Sequence, residues 1–384
     1  MTRHQPLRRL GWRFRAGAIL LAALAGSVAG CNSSSQPILI GITGPFSEAR
    51  GRSMLLAAKL AVEEVNSSGM LGGRTLALDS IDDSASTVRA IAVAQELRDN
   101  PRVVAVVGHL TSGTTLAAAD IYNGGRHPVV EISPSASSPD LSGIGRYTFR
   151  VCATDLVHGG VLARFALQQL GAKKAEVIYL NDDYGRGILT TFRQEFERLG
   201  GEVTDADPVL ATTTDLTPYL EHIKQDDQAQ VIMIAGDRTT AVTVLHQARA
   251  KGITLPIIGG DGLAGIQTEG AIADGIHITS NYLPDQTGPA NAAFLRAYAT
   301  VSGGTPPDHR GAGAYDAIHI IAQAIRDAGT GRSAIRDALA RLGKDRPVYE
   351  GVTGRISFDD RGDVPNKSVV VGVVRGGQIV MTGQ

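Results

Sequence analysis

The side chains best placed to hold a small molecule follow apolar runs, in loops rich in hydroxyls, glycine and acids. Residues 38–42 lead into Thr43-Gly44-Pro45-Phe46-Ser47-Glu48-Ala49-Arg50-Gly51, and residues 103–107 into Gly108-His109-Leu110-Thr111-Ser112-Gly113-Thr114-Thr115. The run around Val129 leads into Ser133-Pro134-Ser135-Ala136-Ser137-Ser138. In the second half, Asn181-Asp182-Asp183-Tyr184-Gly185, Gly236-Asp237-Arg238 and Gly260-Asp261-Gly262 follow further apolar runs. Free backbone N–H groups at a helix start, helped by hydroxyls, suit a carboxylate. Acids suit an ammonium. Hydroxyl-rich loops from one half and acids from the other therefore match a zwitterion. The plain alternative is that each Ser, Thr or Asp caps its own helix or turn. A single loop favours the caps, whereas several loops of complementary chemistry favour a binding site.

Chemistry on a bound molecule finds no machinery in the chain. It contains no G-x-x-x-x-G-K-[ST], H-E-x-x-H, C-x-x-C or G-x-S-x-G spacing. Asp82-Asp83 lacks a third ligand at metal spacing, and the pair is expected to cap the helix opening near Thr87. Arg361-Gly362-Asp363 reads as a turn, and His109 as a hydrogen-bonded structural imidazole. Cys152 lies in the apolar Phe149-Arg150-Val151-Cys152-Ala153 and is expected to be a buried, inert thiol. No enzyme, metal or cofactor is expected. Lys and Arg number 37 against 38 Asp and Glu, so no basic excess points to nucleic acid.

The N-terminus speaks to location. Arg3, Arg8, Arg9, Arg13 and Arg15 precede an apolar run over 16–24, too short to span a bilayer as a mature helix. Val28-Ala29-Gly30-Cys31 resembles a bacterial lipobox, which implies cleavage before Cys31 and acylation of its thiol. Residues 1–30 are thus expected to be a lipoprotein signal peptide and 31–37 a flexible tether, leaving the protein extracytoplasmic and attached to a membrane through lipid. Loss of residues 1–30 leaves a length suited to two domains.

Strands and amphipathic helices must position the loops. Strands are expected at 38–42, 75–81, 103–107, 127–132, 176–180, 202–206, 231–235, 256–259 and 276–280, then at 354–358, 368–374 and 378–381. Most are Val, Ile and Leu without alternation, the pattern of strands buried on both faces. Helical patterns fall at 54–66, 87–99, 159–170, 188–199, 240–251, 290–302 and 315–328. Alternating β and α at this spacing means an α/β fold with doubly wound parallel sheets. Ligands of such sheets bind outside the carboxyl ends of the strands, where the loops above lie.

From Ile38 onward the chain resembles the branched-chain-amino-acid-type (type I) periplasmic binding proteins of ABC transporters. The likeness rests on Ile40-Gly41-Ile42-Thr43-Gly44-Pro45, Ala61-Val62-Glu63-Glu64-Val65-Asn66 with Gly69, Asp82-Asp83 and Val107-Gly108-His109-Leu110-Thr111-Ser112. It continues through Ala119-Asp120-Ile121-Tyr122, Ile132-Ser133-Pro134-Ser135-Ala136, Asp183-Tyr184-Gly185-Arg186-Gly187 and Gln247-Ala248-Arg249 with Gly252. Their order and spacing carry the likeness more than any one motif. It implies two lobes joined by three crossover strands: 38–152 with 283–362, and 153–282 with 363–384.

The resemblance also implies roles. Ser112, Ser137 and the backbone around Ser135 and Ala136 fall where the family holds the ligand α-carboxylate. Asp261 falls where it holds the α-ammonium, usually with a glutamate, and Tyr184 where a tyrosine closes over the ligand. Where members with apolar ligands carry aromatics, this chain has Arg50 and Asp237-Arg238, with Arg310 near another such position. Two readings of these charges stand. They form rim salt bridges, or they meet a polar ligand. The expected function is a monomeric receptor that closes around an amino acid or related small polar molecule and delivers it to an ABC permease. The alternative is a ligand-sensing module for a signalling partner.

Overall fold

In a computed structural model the described residues are 36–225 and 228–382; the expected signal peptide, Cys31 and nearly all of the expected tether lie outside them. The apolar runs become two parallel sheets. The first is built by β1 (Ile38–Gly44), α1 (Ala49–Ser68), β2 (Leu76–Asp82), α2 (Thr87–Asp99), β3 (Val103–Val107), α3 (Ser112–Asn123), β4 (Val130–Ser133) and β5 (Thr148–Arg150). Its strand order is β2-β1-β3-β4-β5, parallel throughout. The second begins with α4 (Asp155–Gln168), β6 (Lys174–Leu180), α5 (Asp183–Arg198), β7 (Glu202–Val209), α6 (Thr217–Gln225), β8 (Val231–Ala235), α7 (Arg238–Ala250), β9 (Ile257–Gly259) and β10 (His277–Ser280). The chain then returns to the first sheet with α8 (Pro289–Ser302), α9 (His309–Ala328), α10 (Arg332–Ala340) and the hairpin β11 (Tyr349–Gly351) and β12 (Gly354–Ile356). It ends in the second with β13 (Val370–Arg375) and β14 (Gln378–Met381), both antiparallel. That sheet runs β14-β13-β10-β9-β8-β6-β7.

Each sheet anchors its own core. Ile40, Ile42, Val107 and Ile132 pack with Ile318, Ile321, Ile335 and Phe358, so α9 and α10 cover one face of the first sheet. Val93, Leu97, Val106 and Tyr122 fill the other face under α2 and α3. In the second lobe Ile232, Ile234, Val244 and Ile278 form one cluster and Val177, Phe192, Phe196 and Met233 another. Burial of each such side chain is worth about 1.5–3 kcal/mol before chain entropy is set against it. Arg150 ties the first and third crossings together. Its Nε donates to Asp363 Oδ1 at 2.7 Å and its Nη1 to the Ser138 carbonyl at 2.7 Å.

The turn residues also behave as their chemistry demands, with one correction. Ser86, not Asp82 or Asp83, caps α2 by accepting from the Arg89 N–H, while Asp82 and Asp83 accept from the Ser84 and Ala85 N–H groups of the preceding turn. Asp359 accepts from the N–H groups of Arg361 and Asp363, which closes the Arg361-Gly362-Asp363 turn.

Candidate functional site

The carboxyl ends of both sheets face one cleft of about 200 Å³. Its first-lobe wall carries Arg50, Thr111, Ser112, Ser135 and Arg310, and its second-lobe wall Asp182, Tyr184, Asp237 and Asp261. Seven residues singled out from the sequence, Arg50, Ser112, Ser135, Tyr184, Asp237, Asp261 and Arg310, thus meet from segments far apart in the chain. The volume falls below the roughly 300–1,000 Å³ of sites for drug-sized molecules and suits a smaller one. A larger hollow of about 370 Å³ lies between α9, α10 and the segment before β11, and none of the candidate residues lines it.

Helix starts supply most of the polar wall. Thr111 caps α3, and Ser112 opens it, with its Oγ accepting from the Ser138 N–H at 3.1 Å. Asp182 caps α5 through the Gly185 N–H at 2.7 Å. Asp237 caps α7, accepting from the Thr240 N–H and Oγ1 at 2.9 and 3.1 Å. Capping and cleft lining are therefore compatible roles for these residues. A sequence does not show where the second face of a cap looks, so there the two roles look like alternatives.

Asp261 is the most constrained member. It is 2% exposed, and its Oδ1 accepts from the Tyr184 hydroxyl at 3.0 Å, while that hydroxyl accepts from the Gly262 N–H at 2.9 Å. Oδ2 has no hydrogen bond and faces His309 Nε2 at 3.5 Å and His158 Nε2 at 3.8 Å. Burial favours the neutral acid, but positive charge at His158, His309 and Arg310, with the Tyr184 hydroxyl, holds the carboxyl below its usual range. Burial lowers both imidazoles, His309 to about 4, with Arg310 adding to the effect there. Arg310 adds a guanidinium on the same side, its Nη2 donating to the Asp261 carbonyl at 3.3 Å. The site therefore holds a buried carboxyl, kept below its usual range, with one oxygen that makes no hydrogen bond.

Three sequence candidates lie elsewhere. Arg238 turns away from the cleft: its guanidinium donates to the Gly265 carbonyl, Thr268 Oγ1 and Glu269 Oε1, a surface network that satisfies the charge. Ala136 is buried behind the wall, with its N–H donating to Ser133 Oγ at 3.0 Å and its carbonyl taken by Arg150 and Cys152. Ser137 is buried beside Asp155, and neither the hydroxyl nor the carboxylate oxygens make a hydrogen bond of good geometry. Burial pushes the Asp155 carboxyl well up. Thr111, Asp182, His158 and His309 were not singled out in the sequence. For Asp182 and Thr111 the signal was their place beside Tyr184 and Ser112; for the two histidines, far apart in the chain, there was none.

The inert positions agree with their expected roles. His109 is fully buried, with Nδ1 at 2.6 Å from Asp83 Oδ2 and Nε2 at 3.3 Å from the Tyr122 hydroxyl. Burial pushes the Cys152 thiol up to about 12, so no thiolate is available at neutral pH. Glu176, Asp205, Asp207 and His222 each bring a possible ligand atom within 4.8 Å of the others, at a sheet edge no sequence spacing announced; none of them lines the cleft.

Two lobes with a small polar cleft at the carboxyl ends of their strands define a binding protein, and the comparisons agree. Residues 37–378 match the periplasmic binding protein family, to which the chain belongs. A Leu/Ile/Val-binding protein homolog 1 of Brucella abortus is 27% identical over 348 residues, covering 89% of this chain and 91% of the relative. An amino acid binding protein of Pseudomonas aeruginosa is 28% identical over 372 residues, covering 93% and 95%. Among solved structures, the branched-chain amino acid transporter substrate binding protein LivJ of Streptococcus pneumoniae, in complex with isoleucine, aligns at a TM-score of 0.80 with 29% identity, over 90% of this chain and 99% of the other. A benzoate complex of a Rhodopseudomonas palustris solute binding protein shares the fold at a TM-score of 0.80 with 20% identity, so the fold alone does not choose the ligand.

Proposed function

We propose that this protein is an extracytoplasmic receptor that closes around an amino acid or related small polar zwitterion and passes it to an ABC permease, without chemistry on the ligand. The observation that carries this reading is Asp261, a buried acid whose Oδ2 makes no hydrogen bond, across the cleft from Ser112 and Ser135. In this reading Asp261 takes the ammonium and the start of α3 takes the carboxylate. The lobes divide as 38–152 with 283–362 and 153–282 with 363–384, which is supported by the three places where the chain passes between sheets.

Calorimetric titration with a panel of amino acids tests the reading. Asp261→Asn preserves the shape that Tyr184 contacts but removes the charge, and should weaken binding by roughly tenfold to a hundredfold, the effect of about 1.5–3 kcal/mol. Asp261→Ala should also lower stability, because the acid is buried and bonded to Tyr184 rather than loose in its glycine-flanked loop. Unchanged affinity in a folded Asn variant would remove Asp261 from the site. Membrane attachment is proposed through acylated Cys31, motivated by Val28-Ala29-Gly30 before it. Labelling with a fatty-acid analogue should mark the wild type, and equal labelling of Cys31→Ala would sink the anchor.

A further inference from the structure

We propose that the ligand carries a second carboxylate, held by Arg50 and Arg310 on the first-lobe wall of the cleft. This rests on the amino-acid reading of the cleft and narrows it to zwitterions with an acidic side chain.

Arg310 is the stronger observation. It stands in the first turn of α9, is 4% exposed, and still lines the cleft. Nη1 donates to Asp308 Oδ2 at 3.0 Å and Nη2 to the Asp261 carbonyl at 3.3 Å, while Nε–H makes no hydrogen bond among the described residues. Arg50, whose side chain is 24% exposed, uses only Nε, on Glu48 Oε2 at 2.7 Å. Its two terminal nitrogens make no hydrogen bond among the described residues. The wall thus offers two guanidinium groups with unused donors, one of them nearly out of water. An arginine cannot shed its charge, and its unused donors here face the cleft, where a ligand can meet them.

The opposite wall is differently balanced. Asp182 and Asp237 already accept from the first turns of α5 and α7, whose N-termini favour negative charge. Asp261 alone retains a buried oxygen without a hydrogen bond among the acids that line the cleft. One ammonium therefore answers the second-lobe wall, and the unanswered donors lie on the first. A carboxylate matches the guanidinium fork with two acceptor oxygens. A side-chain amide offers one acceptor and sets its own N–H groups against the arginines, and an aliphatic chain offers none. The rival arrangement is that Glu48 and Asp308 alone satisfy the two arginines, which then contribute nothing to selection.

Calorimetry with aspartate, glutamate and 2-aminoadipate, against asparagine, glutamine and leucine, separates these. At least one acidic ligand should bind about tenfold or more tightly than any amide or leucine, as expected of a charge-assisted, two-point contact. Arg50→Gln, a change near the mouth of the cleft, should shrink the acid-to-amide affinity ratio to about threefold or less, as should Arg310→Lys, which keeps the charge but loses the fork. The ratio is the readout, since a merely structural role would weaken both ligands together. An amide or leucine that binds as tightly as every acid overturns the second carboxylate but leaves the amino-acid site standing. So does an acid preference unchanged in both folded variants. Failure of every amino acid to bind overturns both.

Discussion

Glu131, in β4, has no exposure, and burial pushes its carboxyl up to about 8. Thr148 Oγ1 donates to Oε1 at 2.8 Å, and Oε2 has no partner. In the unfolded chain the group titrates near 4.5, whereas the folded protein keeps the proton through neutrality. A folded pKa above the unfolded one means that stability is whole below about pH 4.5 and is lost as pH rises towards 8. The loss is up to about 1.4 kcal/mol per pH unit within that window. Glu131→Gln removes the titration and should flatten the curve of melting temperature against pH between 5 and 8, with its largest gain at the alkaline end. Parallel curves for the two proteins would show that Glu131 holds no proton there. At this scale the sequence was most legible where a residue type and a strand end coincided, as at Ser112, Tyr184 and Asp261. It was least legible for Arg238 and Ser137, whose side chains were settled by partners that adjacency does not reveal: Glu269 for the first, and the closely packed Asp155 neighbourhood for the second.

The loop after β9 shows how an element holds its residue. An added Cβ at Gly260 would meet the Tyr184 hydroxyl at 2.3 Å and Ile188 Cδ1 at 2.4 Å. The start of α5 and this loop therefore touch at the hydrogen bond that holds Asp261 Oδ1. Gly260→Ala should leave the fold intact, cost about 1–3 kcal/mol by overpacking, and push Tyr184 off Asp261. Ligand affinity should fall with it, read by calorimetry beside a denaturant titration. A variant that loses stability but binds as before would show that the Tyr184–Asp261 bond is not needed. Elements whose apolar runs lacked competing signals were legible almost to the residue, as in β3 and β8. The start of α9 was not. It lies at His309, six residues before the pattern expected from Tyr315, whose earlier turns are hidden in the sequence by Gly311 and Gly313, which look like breakers. An added Cβ at these positions would meet Ser53 Oγ and the Pro134 carbonyl, both at 2.7 Å, so the glycines serve close packing inside a helix. That shift is what brings Arg310 into the cleft. Pro208 near the end of β7 is tolerated for a related reason, since β7 is an edge strand.

At the scale of the molecule, alternating strands and helices made two parallel sheets legible, but not the contacts across the cleft. Arg310 reaches the Asp261 carbonyl from 49 positions away, and an added Cβ on Gly113 would come within 3.3 Å of Asp183 Oδ2, so α3 meets the start of α5. Polar bridges such as these join the lobes, whereas the large apolar clusters lie within them. Separation of the lobes therefore leaves their main cores intact, and open and closed arrangements are expected to lie within a few kcal/mol of each other. A ligand that touches Ser112 and Asp261 at once binds the closed arrangement better and must shift the population towards it. Small-angle scattering should show a smaller radius of gyration with ligand, and the melting temperature should rise, since ligand at 100 times its Kd adds about 2.7 kcal/mol. Asp261→Asn, at a concentration where ligand still saturates it, should contract less, because the charge that draws the second lobe onto the ammonium is gone. Full contraction of the saturated variant would assign closure to other contacts, and a radius unchanged by ligand in the wild type would show that the cleft binds without lobe movement.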